Sequence, residues 1–116
     1  IVSLSCPATP ATTRMVDAGF LQAMKPGSIL VNTARGALVD EHALTDALDA
    51  GHLFAAGLDV FEGEPNVDPR LMAYDNIFAL PHIGSATVET RNAMGFCCLD
   101  NLDAFFAGRA LPHGLV

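Results

Sequence analysis

The sequence is poor in positive charge. Six lysines and arginines stand against thirteen aspartates and glutamates, for a net charge of −7. A surface built to hold nucleic acid or an anionic membrane needs the opposite balance. Cysteine is scarce too: Cys6, Cys97 and Cys98 are an odd set without scaffold spacing, which argues against a disulfide framework and favours reduced thiols in a cytoplasmic setting. No apolar run approaches the roughly 18 residues that span a bilayer. An initiator methionine and a signal-peptide layout are also missing. The chain opens on "IVSLS", which reads as a strand entered midway and as a piece of a larger protein. Apolar residues, by contrast, are abundant: they make up 51% of the chain. For a domain this small that is high, because small domains have proportionally more surface to cover with polar groups. The excess predicts apolar surface that packs against something outside this stretch.

The pattern alternates strands with helices. Ile1 to Ser5 predicts a first strand, and "CPATPATT" after it a loop. Asp17 can cap a helix with Phe20, Leu21 and Met24 on one face, stopped by Pro26-Gly27. "SILVNT", Ser28 to Thr33, reads as a strand with apolar residues at successive positions, as in parallel strands buried on both faces. Asp40 caps a helix carrying Leu44, Ala47 and Leu48, and Gly51 closes it. "LFAAGLDV" gives a third strand ending at Asp59, and a short apolar turn surrounds Leu71 and Met72. "NIFALP", Asn76 to Pro81, gives a fourth strand. A long helix from about Val88 to Ala107 carries Met94, Cys98, Leu102, Phe105 and Phe106 at helical spacing. The expected class is α/β, a parallel sheet flanked by helices with a long terminal helix.

In such sheets function gathers beyond the carboxyl ends of the strands. Those ends carry Cys6-Pro7, then Thr33-Ala34-Arg35-Gly36, then Asp59 to Glu64, then His82-Ile83-Gly84-Ser85. Taken singly, each has a bland reading: an arginine whose stem covers apolar neighbours, a solvated acidic loop, a structural histidine. Taken together, an arginine, a glutamate and a histidine at neighbouring strand ends can meet in one cleft. A carboxylate can orient an imidazole and favour its protonated form, and the imidazolium can give a proton to a developing alkoxide. A guanidinium, with Gly36 behind it for backbone freedom, can hold a carboxylate as a planar fork. Hydride reduction of a 2-keto acid asks for this set.

"MKPGSILVNTARGALVDEHAL", "AAGLDVFEGEP" and "LPHIGSAT" resemble successive signatures of the D-isomer-specific 2-hydroxyacid dehydrogenases, and "CPATPATTRMV" resembles the loop upstream of them. The resemblance runs in family order over essentially the whole chain. "PHIGSATVETRNAMGFCCLDNLDAFFAGRALP" looks most like the glyoxylate/hydroxypyruvate reductase branch, and a glutamate at position 64 disfavours formate dehydrogenase, whose counterpart is a glutamine. The resemblance implies the carboxyl-terminal half of a Rossmann-type doubly wound sheet over residues 1–85. It implies a terminal helix and tail over 86–116, returning toward a substrate domain outside the chain. By the same resemblance Arg35 binds substrate, His82 is the acid/base and Glu64 pairs with it. Asp59 contacts the nicotinamide carboxamide, while Pro7, Thr12, Thr33, Ala34, Arg35, His82 and Gly84 line the cofactor, NAD or NADP. The implied partner is a small 2-keto or 2-hydroxy acid, and the implied assembly a homodimer.

A dinucleotide site of this type also needs a G-x-G-x-x-G turn with a selector residue about 20 positions on, and neither occurs in this sequence. The isolated chain is therefore expected to lack turnover. Relatives of the same fold act as dinucleotide-sensing corepressors that can retain the arginine, glutamate and histidine, so that reading stands as an alternative. His42, His52, His82 and His113 have no metal-ligand spacing, so no metal is expected, and His42 and His52 read as solvent-facing.

Overall fold

The structure, a computed structural model, describes residues 1–114. They divide into two compact units, Ile1–His82 and a second that begins at Ile83. In the first unit the apolar runs become four parallel strands, β1 (Val2–Leu4), β2 (Ser28–Asn32), β3 (Leu53–Leu58) and β4 (Ile77–Ala79), in the order β1-β2-β3-β4. Two helices connect them, α1 (Ala18–Ala23) and α2 (Glu41–Asp49). Both predicted caps form. Asp17 accepts from the Phe20 N–H, and Asp40 accepts from the N–H groups of His42 and Ala43. These bonds satisfy donors that the first helical turn leaves unpaired.

Parallel strands laid side by side in chain order, with right-handed crossovers, throw each connection onto the same face. α1 and α2 accordingly pack against each other. Leu21, Leu44 and Leu48 of these helices join Leu30, Leu53 and Leu58 of the strands in a buried core. The opposite face is left open. Ile29 and Val31 are half-buried, while Phe54 and Phe78 are 68% and 70% exposed. The expectation that β2 is buried on both faces thus holds for one only, because the described connections supply helices to one side.

The strands are one to three residues shorter than the sequence suggests: β1 loses Ile1 and Ser5, and β4 loses Asn76, Leu80 and Pro81 to the adjoining loops. Two short 3-10 turns appear, at Gly36–Leu38 and Leu71–Ala73. The second is the apolar turn expected around Leu71, and the first was not anticipated. Val16 bridges to Val39, fastening the loop before α1 to the end of the Gly36–Leu38 turn. His52 corrects its solvent-facing assignment: it is half-buried, with Nε2 3.0 Å from the Met24 carbonyl at the end of α1. His42 is exposed as expected.

In the second unit, Thr87 caps α3 (Val88–Phe106) by accepting from the Thr90 N–H. The Asn101 side chain exchanges two hydrogen bonds with the His113 backbone and holds the tail after the helix. Ala104 is the buried residue among those described in α3. Met94, Leu102, Phe105 and Phe106 are all more than half exposed, so the apolar residues read from the sequence lie open. Cys98 is exposed with them. Among the described residues no helix is long and apolar enough to cross a membrane.

Candidate active site

All four strands run parallel, so their carboxyl ends share one edge of the sheet. Arg35 stands three residues past β2, Asp59 directly follows β3, and His82 stands three residues past β4. Glu64 lies in the loop between β3 and β4.

Glu64 and His82 meet. The imidazole Nδ1 lies 2.7 Å from Glu64 Oε2, while Oε1 of the same carboxylate accepts from the Phe61 N–H, also at 2.7 Å. The His82 hydrogen bond, foremost, and the Phe61 N–H hold the Glu64 carboxyl below the usual glutamate range, against a desolvation that pushes the other way. An ionised carboxylate can only accept, so Nδ1 carries the proton and donates it, and Nε2 is left for other chemistry. His82 adopts a φ of +56°, in the left-handed region that few non-glycine residues occupy and that histidine enters more readily than most. Strain of this kind, of order 1–3 kcal/mol, persists where surrounding contacts over-determine it and is enriched at functional sites. A cleft of about 410 Å³ adjoins the pair, walled by Phe61, Pro65, Val67 and Pro81.

Arg35 is held differently. Its backbone is extended, with φ −149° and ψ 140°, and Nη1 donates to the Ala34 carbonyl at 2.6 Å. Among the described residues it belongs to no ion pair, so the remaining guanidinium donors are open to an external anion. With Ser5, Cys6, Pro7, Ala8 and Ala34 it lines an open cavity of about 590 Å³ between the ends of β1 and β2.

The loop after β3 joins the Arg35 turn to the Glu64–His82 pair through contacts that local sequence patterns do not show. A Cβ at Gly36 would fall 2.0 Å from both the carbonyl carbon and the carbonyl oxygen of Phe61, and 2.5 Å from the Glu62 nitrogen. Gly36 is therefore required for space. Its φ is not among the positive ones, which corrects the expectation that it supplies backbone freedom. Glu41, the first residue of α2, accepts from the Glu62 N–H at 2.6 Å, and burial pushes its carboxyl up despite that bond. Arg14 donates to the Glu62 side chain at 3.0 Å. The loop is thus fixed from α2, from the turn after β2 and from the turn before α1.

The other expected site residues fall as follows. Pro7 and Ala34 line the Arg35 cavity. Thr12 directs its hydroxyl inward, donating to the Pro7 carbonyl at 2.8 Å and accepting from the Thr9 N–H, so it shapes that loop. Thr33 is exposed. Asp59 is 3% exposed, its N–H donating to the Asn32 carbonyl at 3.0 Å. Gly84 is exposed and belongs to the second unit. Among the described residues no group of three or more histidine, cysteine or acidic side chains is placed to hold a metal.

A parallel α/β sheet that gathers an imidazole–carboxylate pair and a guanidinium on its carboxyl edge has the layout of the nucleotide-binding α/β domains, whose ligands lie beyond the carboxyl ends of the strands. Comparison with known proteins narrows this. Residues 1–84 match the family described as D-isomer specific 2-hydroxyacid dehydrogenase, NAD binding domain, and the chain belongs to that family. It is 45% identical over 111 residues to a hydroxyphenylpyruvate reductase of Plectranthus scutellarioides, covering 96% of this chain and 36% of that protein. A glyoxylate/hydroxypyruvate reductase B of Pectobacterium atrosepticum is 50% identical over 107 residues, covering 91% and 33%. A crystal structure of the NADPH-dependent glyoxylate/hydroxypyruvate reductase of Sinorhizobium meliloti, in complex with NADP and malonate, matches with a TM-score of 0.86 at 47% identity, covering 90% and 33%. The chain thus spans about a third of the length of these relatives.

Proposed function

We propose that the full-length protein containing this chain reduces the keto group of a small 2-keto acid, or oxidises the matching 2-hydroxy acid, using NAD(P)H or NAD(P)⁺. The observation that carries this is the 2.7 Å bond between His82 Nδ1 and Glu64 Oε2 on the strand edge that also presents Arg35. With Nδ1 committed to Glu64, Nε2 can give its proton to the oxygen that becomes the hydroxyl and retrieve it in the reverse reaction. Arg35 holds the substrate carboxylate, which fixes the neighbouring carbonyl toward the imidazole. A bound nicotinamide supplies or accepts the hydride. The cavity beside Arg35 fits one side of such a group: its walls are the short side chains of Ser5, Cys6, Ala8 and Ala34 with the ring of Pro7, leaving room for a flat ring and a sugar. In this reading Asp59, directly after β3, contacts the carboxamide.

Glyoxylate or hydroxypyruvate is the favoured substrate, supported by the similarity to reductases of that name. The relatives named above carry reductase names, and the dinucleotide-sensing alternative draws no support from them. We also infer that residues 86–116 return toward a substrate domain, which gives the exposed Met94, Leu102, Phe105 and Phe106 a surface to pack on. The reading keeps the homodimer that the family resemblance implies. It also keeps the cytoplasmic setting that free Cys6, Cys97 and Cys98 favour.

The test is nicotinamide oxidation by the full-length protein with glyoxylate, hydroxypyruvate and pyruvate, using NADH and then NADPH. Turnover with at least one acid is expected, together with a rise in KM of about 10²-fold in Arg35→Ala, on the scale of a lost carboxylate clamp. Tight dinucleotide binding without turnover on any acid would defeat the proposal. The isolated 116-residue chain is expected to show no turnover in the same assay, because the phosphate-binding turn is not among its residues.

A further inference from the structure

Asn32 ends β2 and is 1% exposed, among leucines that fill the core. A buried side-chain amide carries a desolvation cost unless its polar atoms find partners. Both do, and both partners flank Arg35. Oδ1 accepts from the Ala34 N–H at 3.1 Å, and Nδ2 donates to the Arg35 carbonyl at 2.9 Å. The Asn32 backbone carbonyl accepts from the Asp59 N–H at 3.0 Å, tying the same point to the end of β3. The Arg35 carbonyl also receives the Leu38 N–H at 3.2 Å. The backbone carrying Arg35 is therefore fixed on both sides by one buried amide, while its side chain is exposed and, among the described residues, bonded to the Ala34 carbonyl.

We infer that Asn32 is a positioning residue for substrate carboxylate binding: its side-chain amide clamps the Ala34–Arg35 backbone, so that the Arg35 guanidinium leaves the sheet edge in the direction a carboxylate needs. This rests on the reading of Arg35 as the carboxylate-binding residue. The chemistry requires both halves of the amide. Serine could still accept from the Ala34 N–H but could not reach the Arg35 carbonyl. Aspartate keeps the shape but sets a carboxylate oxygen against that carbonyl, where the amide donated a proton.

The experiment is a double-mutant cycle in the full-length protein, combining Asn32→Ser with Arg35→Ala and reading KM for the 2-keto acid, kcat and the dissociation constant of the reduced dinucleotide. A residue acting through Arg35 raises KM by about tenfold or more when changed alone, as misplacement of a binding group does. It leaves dinucleotide affinity within about twofold and adds no further rise in KM once Arg35 is alanine. Asn32→Asp is run through the same cycle, so that a variant unable to fold does not leave the question open. Asn32 substitutions that raise KM by the same factor with and without Arg35, or that leave KM unchanged in the parent, overturn the inference. An Arg35→Ala protein with unchanged KM defeats the carboxylate-binding reading itself, and this inference with it. The two failures are thus distinguishable.

Discussion

Replacing His82 with glutamine in the full-length protein is expected to lower kcat for keto-acid reduction by about 10³-fold, within the ~10²–10⁴ that a positioned general acid contributes. KM should move little, because the imidazole acts on the reacting oxygen and Arg35 holds the carboxylate. Steady-state kinetics on the purified variant checks both parts. Glu64→Gln is expected to have a smaller effect with a different signature. Its amide oxygen can still accept from the Phe61 N–H, so the loop survives. Its amide nitrogen, however, faces Nδ1 as a donor, where the carboxylate accepted, at a contact that is 2.7 Å in the parent. The imidazole loses the acceptor that orients it, so kcat should fall while KM for the keto acid moves little. Stability responds at the acid end. The Glu64 carboxyl is held below its ordinary range in the folded state, chiefly by His82. Its contribution is thus present above the unfolded-state value and lost as pH falls through the lower folded-state value. Glu64→Gln should remove that part of the acid-side decline, read by denaturation at stepped pH.

Gly36→Ala is expected to be the most damaging single-methyl change in the chain. Its Cβ would sit 2.0 Å from the Phe61 carbonyl carbon and 2.5 Å from the Glu62 nitrogen. Both are backbone atoms, so no side-chain rotation relieves the clash, and the Arg35 turn must move away from the loop that carries Glu64. The cost is about 3 kcal/mol of stability, at the upper end of overpacking penalties. A displacement of about 1 Å between the two binding groups should also cut kcat/KM by about 10²-fold. Denaturant unfolding and kinetics on the full-length variant measure the two separately. Wild-type stability with wild-type activity would show that the two loops need not touch.

These two variants divide along the line between local and tertiary information. The strands, helices and caps were legible because each follows from neighbours in sequence: Asp17 and Asp40 precede helical apolar spacing, and "SILVN" is an apolar run between turn residues. The positions of Arg35, Glu64 and His82 at strand ends followed from the same reading, and the roles expected of them came from that convergence and the family resemblance jointly. The 3-10 turn at Gly36–Leu38 was missed, being too short for periodicity to mark. Asn32 lies inside the segment read as a strand from Ser28 to Thr33 without being singled out, though a polar residue in line with Leu30 on the core face is itself a signal, since burial there demands partners. Glu41 was hidden behind the cap at Asp40, because its partner Glu62 is 21 residues away.

By itself, then, the sequence determined which segments become strands and helices and which chemistry reaches the sheet edge. Those follow from side-chain periodicity, turn residues and the order of a parallel sheet. The tertiary structure alone decided that Gly36 is glycine for want of room beside Phe61, and that one buried amide fixes the backbone on both sides of Arg35. It also decided that the two helices of the first unit, α1 and α2, pack on one face of its sheet. The physical reason is the same in each case: close packing and hydrogen-bond satisfaction depend on atoms brought together across loops, and no local pattern encodes that distance.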